Sequence, residues 1–398
     1  MKKYTVFLSA GEPSGDFLGS QLMKALKNQL GGNVTFVGLG GPLMAAEGLS
    51  SLFPIEELSI IGLAEIIPHI RRIRNRIKET VEAIETIHPN IVVTIDSPGF
   101  NFRVGKRLKK RIKSIPLVHY VAPSVWAWRP KRAHAVAQFL DHLLVLFPFE
   151  PPYFLKEGLP TTFVGHPVVE LGLEKFNDPT FRTRHKIGAS APILTLLPGS
   201  RRGEISRLLP VFQETVVSLQ QKYPDIQVVI PTLPHLVGQI KKQFNLPAII
   251  VTTSLEKYAA YKESHAALAA SGTVSLELAA AGVPMVIAYK INPITHFLVR
   301  RLVKAKYACL VNLLMNQEVV PERLQEDCTS QKLVVALEGY FSREKGAIFG
   351  RDRMVKKMQE AVEKLKPSAP QDTPSVSAAR QIYKTKEIFY EKSLAIKE

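Results

Sequence analysis

Cysteine is almost missing from this sequence: Cys309 and Cys328 are the only two in 398 residues. That is too few for a disulfide framework, and the pair lacks metal-ligand spacing, which excludes a small stapled scaffold or a zinc module and favours a reducing compartment. Nowhere are two aspartates separated by a single residue. The Asp-x-Asp clamp that holds a divalent ion on a diphosphate is therefore lacking, and the expectation is a site with no metal and no cofactor. An unbroken membrane-length run is lacking too. The most apolar window, 266–289, carries only Glu277 as a charge, but Ser271-Gly272, Gly282 and Pro284 divide it into buried strand, turn, short helix and second strand. Tyr4 to Ala10 is too short for a signal peptide and is followed at once by Glu12 and Asp16, so it reads as a first strand. Acidic residues are also scarce, 35 against 52 Lys plus Arg, for a formal net charge of +17. Such an excess points to anionic partners: nucleic acid, acidic lipid or phosphorylated substrates.

The rest is ordinary globular material, 46% hydrophobic and 22% charged, which excludes a disordered or collagen-like chain and, at this length, suggests two or three domains. Short β-branched runs alternate with helical patterns. Strands are predicted at 3–10, 34–38, 91–95, 115–121, 142–147 and 161–165, with helices at 15–30, 68–88, 101–113 and 130–138. The weakly periodic stretch 170–192 suits a connection between domains. Beyond it the alternation restarts, with strands at 193–197, 227–232, 248–253, 266–270 and 284–289. The fold class is thus α/β, with two Rossmann-like doubly wound domains facing a cleft and ligands at the carboxyl ends of the strands. After Phe341 the chain reads as helical, broken at 366–375 and resuming over 376–390.

Six turns carry chemistry. The first strand empties into Ser9-Ala10-Gly11-Glu12-Pro13-Ser14-Gly15-Asp16, a strand-to-helix turn that offers amides to a ligand or is simply tight. Gly38 to Gly41 makes a similar turn. Asp96, in Ile95-Asp96-Ser97-Pro98-Gly99-Phe100-Asn101, either accepts a proton from a substrate hydroxyl or caps the next helix, and the residues alone favour the cap. His119 to Arg132 contains both tryptophans, Trp126 and Trp128, beside cations; aromatics there suit sugar or phosphate contact but are equally core material, and His119 reads as a structural histidine. In the second half, Pro198-Gly199-Ser200-Arg201 precedes a helix bearing Glu204, and Ser271-Gly272-Thr273 precedes one bearing Glu277, placed to bond a ribose. Two phosphate-ready turns on one cleft favour a nucleotide diphosphate.

Taken together, the blocks SAGEPSGD (9–16), IDSPGFN (95–101), HYVAPSVWAWRPKR (119–132), LPGSR (197–201), SGTVSLE (271–277) and NLL (312–314) resemble the bacterial lipid-A-disaccharide synthases, inverting glycosyltransferases of the GT-B architecture. The resemblance implies transfer from UDP-2,3-diacylglucosamine to the 6-hydroxyl of 2,3-diacylglucosamine 1-phosphate, with release of UDP. It implies Asp96 as the essential acid near the acceptor and Arg201 on the UDP diphosphate. Ser200, Ser271, Gly272, Thr273, Glu277 and Asn312 would line the nucleotide site, and Glu12 and Asp16 would flank the cleft; by residue type and position alone, Ser14 joins the substrate-binding candidates and His119, Trp126 and Trp128 are candidates for acceptor or sugar contact. It further implies C-terminal helices that cross back to the first domain and can exchange between the subunits of a homodimer. The domains would then be 1–170, on the acceptor side and completed by about 366–398, and 171–365, binding UDP-sugar. One departure is Met315-Asn316-Gln317, where the family pattern reads Ala-Gly-Arg.

Ile66 to Ile77 and Phe297 to Tyr307 interleave apolar residues with cations, including Arg71, Arg72, Arg74, Arg76, Arg300 and Arg301. The pattern fits contact with an anionic inner-membrane surface or an ordinary helix with a solvated basic face, and the lipid substrate favours the first. The expectation is a cytoplasmic protein peripherally associated with the inner face of the bacterial inner membrane. Rival readings are another GT-B enzyme acting on UDP-N-acetylglucosamine, either an epimerase or a lipid-linked sugar transferase, and a non-enzymatic nucleotide or nucleic-acid binder. No recognition-helix or RNA-binding aromatic signature is present, so nucleic acid is not an expected partner.

Overall fold

Runs such as Ile91–Ile95 and Ile193–Leu197, buried along their whole length, need a sheet covered on both faces, and a parallel sheet provides it. The computed structural model describes residues 4–58, 70–173, 176–292, 305–342 and 344–395. It divides into two units, Met1–Glu170 with Leu365–Glu398, and Leu171–Lys364.

The first unit holds β1 (Tyr4–Ala10), β2 (Val34–Leu39), β3 (Ser50–Ser51), β4 (Ile91–Ile95), β5 (Leu117–Tyr120), β6 (His142–Val145) and β7 (Thr161–Phe163), in the order β3-β2-β1-β4-β5-β6-β7 with every pairing parallel. The second holds β8 (Ile193–Leu197), β9 (Gln227–Pro231), β10 (Ile249–Val251), β11 (Ala266–Ala270), β12 (Met285–Tyr289) and β13 (Glu322–Leu324), again all parallel, in the order β10-β9-β8-β11-β12-β13. β3 and β13 were not anticipated, because neither two serines nor Glu-Arg-Leu makes an apolar run; both are edge strands recruited by their neighbours. Winding reverses between β1 and β4 in one sheet and between β8 and β11 in the other, which opens a crevice at the carboxyl ends of those pairs.

Helices Pro13–Gln29 and Pro374–Ala395 cover one face of the first sheet, where Leu18, Leu22, Met23 and Leu26 share a core with Ala378, Ala379 and Ile382. Helices Ile70–Ile87 and Pro98–Arg111 cover the other through Ile77, Val81, Ile84, Val104 and Leu108. The returning chain is fastened twice: His166 N donates to Leu365 O (2.9 Å), and Glu170 Oε1 accepts from Ser375 N (3.1 Å) and Ser375 Oγ (2.6 Å).

Candidate functional site

At the β1/β4 reversal, two of the singled-out turns are locked together. Asn101 is 1% exposed; its Nδ2 donates to Asp96 O (2.8 Å), Ile95 O (3.1 Å) and Ser9 O (3.2 Å), and its Oδ1 accepts from Ser9 Oγ (2.7 Å). A Cβ on Gly11 would stand 2.7 Å from Ser97 Oγ, so only glycine lets the two turns approach. The backbone there is strained: Asp96 (φ 49°), Ser97 (φ 44°) and, on the adjoining strand end, the β-branched Val121 (φ 84°) are left-handed. The N-cap of helix Pro98–Arg111 is Ser97, and the Asp96 carboxylate makes no cap; its Oδ2 accepts instead from the exposed Ser14 Oγ at 3.4 Å. Capping, which the residues alone favoured for Asp96, is not what its side chain does.

Other expected residues of this unit part company. Glu12 and Ser14 are exposed at the same turn, but Asp16 is buried, and its carboxylate accepts from Gly41 N (2.9 Å), Leu43 N (3.0 Å) and Met44 N (2.9 Å). It fastens the Gly38–Gly41 turn, which sequence reading had treated as a separate feature. His119 is buried against the Phe102 ring (4.7 Å) with Nδ1 2.8 Å from Thr94 Oγ1, and burial, aided by the Arg132 charge, pushes its pKa down to about 3. It stands in the core as a neutral imidazole. Trp126 is half-buried and Trp128 is 40% exposed beneath the Arg129 guanidinium.

In the second unit a cavity of about 460 Å³ opens at the carboxyl ends of β8, β9, β10 and β11, and it brings together Ser200, Arg201, Ser271, Gly272, Thr273 and Glu277. Glu204 complicates the first phosphate-ready turn. Its carboxylate accepts from Ser200 N (3.1 Å), Arg201 N (3.3 Å) and Arg201 Nη1 (3.0 Å), so an internal carboxylate already occupies those amides. The second turn is open. Helix Val274–Ala281 has its first internal bonds at Ser275 N and Leu276 N, which leaves Gly272, Thr273 and Val274 as its orphan amides. One turn along, Glu277 is held by Lys257 Nζ (2.9 Å) and Tyr261 OH (3.1 Å), two residues that sequence reading missed because they lie on another helix. Thr232 Oγ1, also in the cavity wall, is buried without a partner.

Asn312 does not join them. Fully buried, it accepts from Val319 N and Val320 N and donates to Val320 O and Glu322 Oε1, which holds β13 in place. The nearby departure has a physical resolution in part. Asn316 ends helix Leu310–Met315 at φ 50°, and asparagine is the residue that best replaces glycine there. The cation is not replaced.

A family profile described as Lipid-A-disaccharide synthetase matches residues 6–376. The "Lipid-A-disaccharide synthase" of Rhodospirillum centenum is 52% identical over 341 residues, 85% of either chain. That of Paramagnetospirillum magneticum is 48% identical over 338 residues, 84% of this chain and 86% of the other. Among solved structures, S. aureus MnaA in its co-structure with UDP superposes with a TM-score of 0.64 over 91% of this chain and 92% of that one, at 13% identity. A likeness that remote speaks for the fold, the paired parallel-sheet units of the GT-B architecture.

Proposed function

We propose that this chain, which belongs to the lipid-A-disaccharide synthase family, holds the UDP of its donor in the second unit and activates its acceptor in the first. The reaction is transfer of the sugar of UDP-2,3-diacylglucosamine to 2,3-diacylglucosamine 1-phosphate, with a β-1,6 bond formed and UDP released. Asp96 takes the proton of the acceptor hydroxyl as that oxygen attacks the anomeric carbon, and direct displacement inverts its configuration. The amides of Gly272, Thr273 and Val274, together with Arg201, stabilise charge on the departing diphosphate. Glu277, oriented by Lys257 and Tyr261, accepts from the ribose.

The observation that carries this reading is the cavity at the β8/β11 reversal, with orphan amides on one wall and an oriented carboxylate one turn away. Calorimetry with UDP tests it. Arg201→Ala is expected to weaken binding only about tenfold, because the side chain is 72% exposed and already paired with Glu204. Unchanged affinity would remove Arg201 from the diphosphate.

The lipid substrates support a peripheral, cytoplasmic-side association with the anionic inner membrane. Among the described residues no helix is long and apolar enough to cross a membrane. Arg71, Arg72 and Arg74 are exposed on helix Ile70–Ile87, whereas Arg76 is engaged by Glu57 (2.7 Å) and Glu79 (2.7 Å) and lies over the Phe53 ring. The membrane contact therefore falls to the first three; Arg300 and Arg301 lie outside the described residues. Each cation is worth about 1 kcal/mol at an anionic surface. Reversing Arg71, Arg72 and Arg74 to Glu should abolish salt-sensitive binding to anionic vesicles, and equal partitioning of the parent protein onto neutral vesicles would refute the electrostatic contact. A homodimer by C-terminal exchange would place helix Pro374–Ala395 of one chain on the partner's first unit.

A further inference from the structure

At the carboxyl ends of β5, β6 and β7 four rings of the first unit form a row. Trp126 meets Phe149 edge-on (centroids 5.4 Å), Phe149 stacks on Phe147 (5.3 Å, 9° between planes), and Phe147 leans on His166 (5.4 Å). Trp126, Phe147 and Phe149 each keep part of their surface open. Beneath them lies Glu150, 3% exposed. It directly precedes helix Pro151–Leu155, yet its side chain does not cap that helix. Instead Oε2 accepts from Leu146 N (3.2 Å) and Phe147 N (3.0 Å), while Oε1 accepts from Trp126 Nε1 (3.2 Å). One carboxylate thus ties the loop after β5 to the loop after β6.

All three donors are uncharged, and burial outweighs them, pushing the Glu150 carboxyl up to about 7. A buried carboxylate without a cation is a poor source of stability. Glutamine would fill the same space without the charge, but its single acceptor oxygen cannot serve three donors at two places. What the carboxylate alone achieves is an indole fixed against the Phe147–Phe149 stack, and such open apolar ring faces suit the C–H face and acyl chains of a lipid sugar.

We propose that Glu150 is a positioning residue for the transfer reaction, holding Trp126 and the Phe147–Phe149 loop as one aromatic surface that takes the diacylated sugar of the acceptor. The proposal rests on the reading that the first unit receives the acceptor. Steady-state kinetics on the full chain, varying acceptor at saturating donor, test it with Glu150→Gln, Trp126→Phe and the double variant. Each single substitution should raise the acceptor KM on the order of tenfold, the loss of one oriented contact, and the double variant should be no worse than Trp126→Phe. UDP affinity should be unchanged in all three. A structural readout accompanies them: with Trp128→Phe in the background Trp126 is the only tryptophan, and adding Glu150→Gln should red-shift its emission and lower its anisotropy. Unaltered emission, or effects that multiply in the double variant, would overturn the role of Glu150. If Trp126→Phe leaves the acceptor KM untouched, the acceptor reading of this loop fails; if Trp126→Phe raises it and Glu150→Gln does not, only Glu150 is refuted. Should Glu150→Gln not fold, Glu150→Asp, which keeps the charge and withdraws the oxygens by one methylene, carries the same measurements with the same expected direction.

Discussion

Asp96→Asn is expected to slow turnover about 10²- to 10⁴-fold, the usual worth of a general base, with UDP affinity and thermal stability unchanged. The local structure makes this a clean substitution. Asp96 sits at φ 49°, in the left-handed region that asparagine tolerates better than other side chains, so the backbone has no reason to move. Its carboxylate caps no helix, since Ser97 holds the N-cap position, so no capping energy is lost. An asparagine keeps the shape and an acceptor oxygen for Ser14 Oγ, and only the ability to take a proton disappears. His119, at the end of the neighbouring strand, is buried with its pKa near 3, so it is not expected to take over as base and rescue the variant. Turnover above roughly a tenth of the parent's would be too small a loss for a general base, and the assignment would fall.

Asn101→Ala is expected to damage both folding and rate. The substitution removes the donor shared by three carbonyls and leaves the buried Ser9 Oγ without its acceptor. A buried polar group stripped of its partner costs about 1–3 kcal/mol, and with water able to enter the space left, about 3 kcal/mol in all is the expected loss, read by chemical denaturation. The same bonds hold the left-handed Asp96 and Ser97 in place, so turnover should fall as well, in proportion to how far the base drifts from its position. The pairing with Asp96→Asn is informative: one variant should lose rate alone, the other rate and stability. An Asn101→Ala protein as stable as its parent would show that the lock between the two turns is dispensable.

The two parallel-sheet units were legible because their central strands are unbroken apolar runs ended by glycine and small residues, a pattern that short local reasoning handles well. The two switch-point turns of each sheet were legible for the same reason. What escaped was side-chain commitment across distance. Asp16 looks like a ligand-facing carboxylate until Gly41, Leu43 and Met44 are seen to fold back over it. Glu204 looks like the ordinary first turn of a helix, yet it fills the amides thought free for phosphate. Arg76 looks like its arginine neighbours, but Glu57, 19 residues away, has claimed it. In each case the residue type was readable and the partner was not, because the partner is chosen by topology. Glu150 shows the opposite difficulty: nothing in Phe147-Pro148-Phe149-Glu150 announces a buried carboxylate bonded to an indole 24 positions earlier.

The C-terminal helix that completes the first unit also sets an order of events during synthesis. Residues up to Glu170 leave the ribosome long before Leu365 does, with some 195 residues in between, which at ~5–20 residues per second means roughly 10 to 40 s. Throughout that interval the Leu18, Leu22, Met23 and Leu26 side of helix Pro13–Gln29 waits without Ala378, Ala379 and Ile382. The second unit, continuous in sequence, can finish first although its synthesis begins later. The nascent first unit is thus the part of this chain that most needs a chaperone's cover, and a premature stop before residue 374 would leave that apolar side permanently bare.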